Sequence, residues 1–339
     1  MSLLLSPLKI ANFTVKNRIV MPPMDTYQAQ DGMPNVFHLN HYGARAMGGV
    51  GLIIVEANAI CAEGKISDQD LGIYSDEHII KHKSITDICH HFGAKIALQL
   101  NHSGRKNGCK NATQLAPSDI KYSDNFANLK VLDKKDIEKI CQDFCEAAKR
   151  AKLANYDAVE IHAAHGYLIS SFLSPLSNQR TDEFGGSFEN RIRLLCDIVK
   201  GIKERVDIPI FVRISASEWE EKGWDLEQSK KLALVLENLG IYMLDISAGG
   251  NINKPSLVPN VVPLYQANYA KELKRILKIP VSCVGLITSA SEGEALLLGE
   301  VCDLVCYGRE LLRNPNFAYQ AAKILGEKDK IHPSYIRAY

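Results

Sequence analysis

Several patterns that would mark particular classes of protein are missing from this 339-residue sequence. The nine cysteines include no CxxC pair, and such a dispersed, odd-numbered set indicates buried thiols in a reducing compartment. No stretch approaches about eighteen apolar residues, and no basic segment precedes a longer apolar one near the N-terminus, so neither a membrane span nor a signal peptide is expected. We therefore predict a cytoplasmic protein without a metal or a membrane partner.

An excess of charge of one sign is also lacking. Lys and Arg together number 40 and Asp and Glu 39, which gives a net charge of +1. No basic run is interleaved with aromatic residues, so no nucleic-acid partner is expected. No linker rich in Pro, Gly and Ser divides the chain, and we predict a single domain over residues 1–339.

Eight apolar, strand-like runs alternate with helical patterns, after an N-terminal hairpin over Leu8–Arg18 with a turn at Asn12. The runs are Ile19–Met24, Gly51–Ala57, Lys95–Leu100, Ala158–Ala163, Pro209–Ile214, Met243–Ser247, Val281–Ile287 and Leu304–Gly308. Eight such units predict an α/β fold, a single (β/α)8 TIM barrel whose strands are covered on both faces. The alternative is an open doubly wound sheet, which would need a GxGxxG turn where the chain instead has two prolines.

Amphipathic helices are predicted between the strands. They cover Glu77–Phe92, Ile137–Leu153, Glu189–Val206, Leu226–Leu239, Ala270–Leu277 and Glu292–Leu298. Ser291 and Glu294 form a candidate capping box for the last of these helices. Three long loops follow strand C-termini, at residues 101–133, 165–187 and 249–266, and we expect them to form the mouth and lid of a pocket.

The end of the fourth strand carries His162, His165 and Tyr167 within six positions. Residues three apart on a continuing strand would face opposite sides, but Gly166 and two alanines suggest that the chain leaves the strand here. Both imidazoles can then face one cavity, where two ring N–H donors hold a carbonyl or oxyanion and a phenol supplies a proton. A loop histidine pair satisfied by backbone groups is the alternative.

Other strand ends place polar groups and glycines on the same face of the barrel. They are Pro22, Pro23, Met24 and Asp25 at the end of the first strand, followed by Tyr27, then Ala57 at the end of the second, Gln99, Arg213, Gly285, and Gly308 with Arg309. The glycines lie where barrels often bind phosphate. Arg213 either neutralises Glu160 or stabilises negative charge on a reduced ring, so flavin mononucleotide (FMN) fits better than a sugar phosphate.

The segment HAAHGYLISSFLSPLSNQRTDEFGGSFENR resembles the signature of the Old Yellow Enzyme family of FMN-dependent NAD(P)H dehydrogenases. VGLIIVEANAI, DQDLGIYSDEHI, LNHSGRK, FVRIS and YGRELLRNP resemble its thermophilic-like bacterial branch, and the similarity extends from about Leu8 to Tyr339. The resemblance implies a non-covalent FMN, with NADPH or NADH as co-substrate. The FMN would be held by Pro22, Pro23, Met24, Asp25, Ala57, Gln99, Arg213, Gly308 and Arg309.

The resemblance also implies a substrate site and an assembly. His162 and His165 would bind the activating oxygen of an α,β-unsaturated substrate, Tyr167 would protonate it, and Tyr27 would line the site. Arg337, in a tail over about residues 327–339, would reach a neighbouring subunit's active site and so require a homodimer or homotetramer. One departure is Asp25, which replaces a cysteine and, if ionised, would lower the flavin potential.

The expected reaction is ping-pong hydride transfer from NAD(P)H through flavin N5 to the β-carbon of an enone, enal or nitroalkene. An FMN-dependent dehydrogenase of amines or other non-alkene substrates is the main alternative. A flavin-free, phosphate-binding barrel lyase is a further alternative, although no lysine lies at a predicted strand C-terminus. A non-catalytic flavin carrier would not need the His/His/Tyr group.

Overall fold

A computed structural model describes residues 2–126 and 128–339, and its central feature is a closed barrel of parallel strands. The strands are β1 (Ile19–Met21), β2 (Leu52–Ala59), β3 (Lys95–Asn101), β4 (Ala158–Ala163), β5 (Ile210–Ser215), β6 (Met243–Ser247), β7 (Val281–Cys283) and β8 (Leu304–Cys306). Each strand pairs with the next, and β1 pairs with both β2 and β8. The predicted (β/α)8 barrel is therefore confirmed.

Helices cover the outside of the barrel and part of its mouth. They are α1 (Val36–Met47), α2 (Glu77–His91), α3 (Lys134–Leu153), α4 (Leu168–Leu173), α5 (Phe188–Arg191), α6 (Arg193–Arg205), α7 (Leu226–Leu239), α8 (Ala267–Lys274), α9 (Ala290–Leu298), α10 (Gly308–Arg313) and α11 (Phe317–Ile324). Short 3-10 turns occupy Ala62–Gly64, Gly104–Lys106, Lys328–Lys330 and Ile336–Ala338. Within residues 2–126 and 128–339, no helix combines the length and apolar character that crossing a bilayer requires.

Three barrel strands are shorter than the sequence predicts. Strand β1 ends at Met21 because the two following prolines have no N–H groups to donate to a neighbouring strand. Strand β7 ends at Cys283, since Gly285 and Leu286 have φ values of 141° and 55°. Strand β8 ends at Cys306, and Gly308 begins helix α10 instead of closing the strand.

The predicted capping box of α9 is wrong by two residues. The helix begins at Ala290, where the Ser289 hydroxyl accepts the Glu292 N–H and the Glu292 carboxylate accepts the Ser289 N–H. Glu294 has a different function, because its carboxylate accepts the backbone N–H groups of Leu3 and Leu4 at 2.9 and 2.8 Å. The side chain expected to cap the helix therefore anchors the N-terminal segment. The predicted helix 189–206 is also interrupted, at Ile192 between α5 and α6.

The N-terminal hairpin closes the lower end of the barrel. Its strands, Leu8–Ile10 and Phe13–Val15, are antiparallel, and the turn between them places Ala11 at a φ of 51°. The hairpin side chains belong to the apolar cluster that fills the lower half of the barrel: Ile10, Phe13, Val15, Val20, Leu52, Ile54, Ala97, Ala158, Phe211, Met243, Leu304 and Cys306. The hairpin is therefore part of the barrel core.

Candidate active site

A ring of polar side chains lies in the barrel directly above the apolar cluster. Gln99, Glu160, Arg213 and Asp245 each stand two residues after an apolar inward-facing residue of the same strand, so they also point inward. Gln99 Nε2 donates to Glu160 Oε2 at 2.7 Å, and Arg213 Nε lies 3.3 Å from Asp245 Oδ2. The Ser282 hydroxyl donates to the other oxygen of Asp245. Since all five side chains are buried, they form a fixed floor for the mouth of the barrel.

The ring contains one cation and two acids. Burial alone would lower the pKa of Arg213, but the nearby acids Asp245 and Glu160 raise it, so the guanidinium stays charged. Burial, and then repulsion from Asp245, raises the pKa of Glu160 well above its ordinary value. The ion pair of Arg213 is with Asp245, so the alternative in which Arg213 neutralises Glu160 names the wrong partner.

The structure brings His162, His165 and Tyr167 together at the end of β4, as predicted. The ring of His162 makes edge-to-face contacts with those of His165 and Tyr167, each with centroids 5.1 Å apart. The chain leaves the strand through positive φ values at His165 (59°) and Gly166 (75°). At Gly166 a side chain would lie 2.3 Å from the Gly250 carbonyl oxygen, so only glycine fits this turn.

Both histidines are neutral and held in place by hydrogen bonds. Burial, then the charges of neighbouring cations, lowers the pKa of each well below its ordinary value. His162 Nδ1 accepts the Ala164 N–H at 3.3 Å, which leaves Nε2 as the N–H donor. His165 Nε2 lies 2.7 Å from the Ser247 hydroxyl, and when that hydroxyl donates to Nε2 the ring hydrogen is on Nδ1. In that tautomer both imidazoles offer a neutral N–H donor.

The end of β1 is tied to the neighbouring strand by Asp25. Its Oδ1 accepts the Ala57 N–H at 3.2 Å, where a bulge in β2 around residues 56–57 interrupts the pairing with β3. Burial, followed by repulsion from Asp70 and Glu56, raises the pKa of Asp25 to about 7. Asp25 is therefore largely protonated below neutral pH, and the expected effect of its charge on a flavin would develop only above that pH.

The glycines predicted to bind phosphate lie together around a cavity of about 160 Å³. Gly285, Gly308 and Arg309 line it, with Gln266, whose buried Oε1 has no partner in residues 2–126 and 128–339. A side chain at Gly308 would lie 3.5 Å from Met24 Sδ, so glycine leaves open space between β8 and the end of β1. Gly308 begins α10, and the first N–H groups of a helix have no intrahelical acceptor and suit an anion.

Two predicted site residues stand at the edge of this arrangement or outside it. Tyr27 is 45% exposed, with a φ of 54°, two residues after Asp25. Arg337 is exposed in a tail that packs elsewhere, since Tyr335 OH lies 3.3 Å from Met47 Sδ at the end of α1. That position precedes β2, and therefore lies towards the lower end of the barrel. The structure does not bring Arg337 to the active site of its own chain.

Sequence reasoning missed the supporting residues of this site. Asp245 and Ser247 alternate with apolar residues in MLDIS, a signal that both face the barrel interior. Ser215, whose hydroxyl accepts the His165 N–H at 2.9 Å, occupies the same level on β5. Reading polar residues at period two along the buried strands would have found all three.

The whole chain is similar to known flavin-type oxidoreductases. A sequence model of the NADH:flavin oxidoreductase / NADH oxidase family matches residues 3–328. The NADPH dehydrogenase of Listeria innocua is 44% identical over 341 residues, covering 100% of both chains. The old yellow enzyme homologue from Zymomonas mobilis superposes with a TM-score of 0.78 at 30% identity, over 95% of this chain and 92% of that one. Histamine dehydrogenase from Rhizobium sp. 4-9 gives 0.84 at 27% identity, over 96% of this chain but 48% of that one.

The barrel and these relatives define a flavin-type NAD(P)H oxidoreductase. The chain belongs to the NADH:flavin oxidoreductase / NADH oxidase family, and the resemblance to Old Yellow Enzyme is confirmed. The residues present fit such a cofactor, because a charged Arg213 stands on the barrel floor and a glycine-lined cavity lies at its rim.

Proposed function

We propose that this protein is an FMN-dependent NAD(P)H dehydrogenase that reduces activated alkenes such as enones, enals and nitroalkenes. The observation that supports the proposal is the cluster of two neutral imidazoles and a phenol above the polar ring. Neutral N–H donors at one point suit an oxygen that gains negative charge during the reaction, and a phenol suits the delivery of a proton to carbon.

Different residues of the chain would bind the substrate oxygen and supply the proton. His162 Nε2–H and His165 Nδ1–H would bind the carbonyl or nitro oxygen and withdraw electron density from the β-carbon. The Tyr167 hydroxyl would then give its proton to the α-carbon. Tyr27 would line the entrance. When bound, FMN would accept hydride from NAD(P)H and deliver it to the β-carbon.

The cofactor itself would be held at three places. Pro22, Pro23, Met24, Asp25 and Ala57 would contact it from β1 and β2, and Gln99 and Arg213 from the floor of the barrel. The phosphate would enter the cavity lined by Gly285, Gly308 and Arg309. Arg213 is the only one of these groups buried as a cation in the described part of the barrel interior, so it would stabilise negative charge on a reduced ring.

The assembly is part of the proposal. Arg337 and the tail over residues 327–339 would complete the active site of a second copy in a homodimer or homotetramer. The Arg337 side chain is exposed and lies away from its own site, which is compatible with such an exchange. Sedimentation of the purified protein and of an Arg337→Ala variant measures the assembly, and steady-state turnover of the two proteins measures the arginine's effect on the reaction.

Anaerobic stopped-flow measurements test the reaction. The purified protein should be yellow, NADPH or NADH should bleach it, and an enone should restore the colour while the saturated ketone accumulates. If NAD(P)H bleaches the protein and no alkene reoxidises it, then alkene reduction is the wrong second half-reaction.

An amine dehydrogenase remains the second candidate, since histamine dehydrogenase is among the structural relatives. Bleaching of the oxidised protein by an amine, and not by NAD(P)H, would favour it. The curated relatives named NADPH dehydrogenase, which match along their full length, favour the nicotinamide. Family membership likewise favours an oxidoreductase over a flavin-free lyase.

A further inference from the structure

Lys106 occupies an unusual position above the proposed proton donor. It ends the 3-10 turn Gly104–Lys106 after β3, and its Nζ donates to the carbonyl oxygens of His165 at 2.8 Å and Gly250 at 3.2 Å. Its ammonium group lies 4.5 Å from the ring centroid of Tyr122 and 4.9 Å from that of Tyr167. Two carbonyl groups and two aromatic faces therefore hold the cation in one place.

The neighbouring cation, Arg105, is linked through Asn251 to a buried carboxylate, whereas Lys106 has no such link in the described part of the chain. Arg105 is buried and donates to both oxygens of Asn251, whose side chain donates to the buried carboxylate of Glu218. Within residues 2–126 and 128–339, no carboxylate lies within 4 Å of Lys106 Nζ. The Arg105 side chain thus anchors the turn, while the Lys106 charge is left to act on the ring beneath it.

We propose that Lys106 is a positioning residue that stabilises the phenolate formed when Tyr167 delivers its proton. In that step the Tyr167 O–H bond breaks, a C–H bond forms at the substrate α-carbon, and the phenolate later regains a proton from water. The inference rests on the proposed function, because it assumes that Tyr167 is the donor. It goes further by assigning to Lys106 the positive charge that lets the buried Tyr167 phenol give up its proton.

The need for such a charge follows from the surroundings of Tyr167. Burial, followed by repulsion from Asp25, raises the pKa of this phenol, so the site itself resists phenolate formation. Burial, and then the charge of Arg105, lowers the pKa of Lys106 to about 8, so Lys106 is a cation at neutral pH. Its ammonium group, 4.9 Å from the centroid of the Tyr167 ring, opposes both effects. At intermediate dielectric a unit charge at about this distance changes an equilibrium on the order of 10- to 100-fold. The His162 and His165 imidazoles are neutral and supply no comparable charge.

A double-mutant cycle tests the proposal. Lys106→Met should slow reoxidation of the reduced enzyme by an enone about 10- to 100-fold. Its reduction by NADPH, and its reoxidation by a quinone that needs no protonation at carbon, should change less than about twofold. Lys106→Arg should restore most of the rate. In a Tyr167→Phe background, Lys106→Met should cause no further loss.

Each contrary result has a distinct meaning. If Lys106→Met reduced the rate of reoxidation by an enone equally in the parent and in the Tyr167→Phe background, the inference would be overturned and the proposed function would stand. A raised KM for NADPH, or slower quinone reduction, would also overturn it and make Lys106 a nicotinamide or structural contact. Full alkene reduction by Tyr167→Phe alone would refute the proton-donor assignment, and the inference with it. Melting temperatures of the four variants and the parent identify any variant that fails to fold.

Discussion

The lower and upper halves of the barrel interior are built on the same strands but have opposite chemistry. Along β5, Phe211 belongs to the apolar cluster that packs on the N-terminal hairpin, and Arg213, two residues later, belongs to the polar ring. Ala158 and Glu160 on β4 show the same change, as do Met243 and Asp245 on β6. Side chains on one face of a strand recur every two residues. Successive inward-facing residues of one strand thus belong first to the apolar core and then to the candidate active site.

The largest expected effect comes from the lower half. Phe211 is fully buried and its ring lies 6.4 Å from that of Phe13 in the hairpin. Phe211→Ala should lower the free energy of unfolding by about 3–5 kcal/mol, because it removes a buried ring and leaves a cavity. Denaturant titration measures the loss, and turnover per folded molecule should be unchanged. A large fall in that turnover would show that the two halves are not separable.

The matched change in the upper half is His162→Ala. Loss of one donor to the developing negative charge should reduce enone turnover on the order of 100-fold or more. Flavin content and melting temperature should stay near those of the parent, since the imidazole bonds only to the Ala164 N–H among the described residues. Normal turnover of enones by this variant would refute the role of His162.

A smaller effect is expected at Asp25, in the upper half of the barrel. Replacing the aspartate by cysteine removes a negative charge that, at about 4 Å from a reduced ring, costs about 1–4 kcal/mol. For two electrons this corresponds to a midpoint about 20–90 mV higher in Asp25→Cys. Because the pKa of Asp25 is about 7, the difference should be full well above pH 7 and fade below it. Potentiometry at pH 6 and pH 8.5 checks this; an unchanged or lowered midpoint at pH 8.5 would contradict it.

The smallest effect tests how tightly the lower half is packed. Ile54 is fully buried in the apolar cluster. Ile54→Val removes one methylene and should cost about 0.5–1.5 kcal/mol of unfolding free energy. Turnover and flavin binding should not respond, because Glu56, the first polar residue of β2, is two residues further along. A change in either would extend the functional region below the ring.

The sequence was sufficient for the barrel and for the central cluster of the site. Apolar runs locate all eight strands, and the spacing of His162, His165 and Tyr167 around Gly166 indicates a turn that gathers their side chains. The residues at which the strands end were predicted less well. At β7 the apolar run continues to Ile287, and only the positive φ values at Gly285 and Leu286, which depend on the surrounding fold, end the strand.

Pairings across the barrel were beyond sequence reasoning for a different reason. Arg213 could reach either Glu160 on one side or Asp245 on the other, and both are acids on adjoining strands. The strand register decides between them. Arg213 lies opposite Asp245 in the pairing of β5 with β6, while the Glu160 carboxylate accepts a hydrogen bond from Gln99. Similarly, nothing in LNHSGRK reveals that Lys106 stands over an aromatic ring sixty-one positions later in the chain.

The hairpin at the base of the barrel has a consequence for biosynthesis. Ile10 and Phe13 leave the ribosome before all eight barrel strands, yet they pack among side chains of strands as late as Leu304. Their apolar surface therefore stays uncovered until nearly the whole chain has been made, since contacts between distant segments form slowly and late. Chaperone demand and inclusion-body formation during expression should accordingly depend on the hairpin Leu8–Val15 far more than its small size suggests.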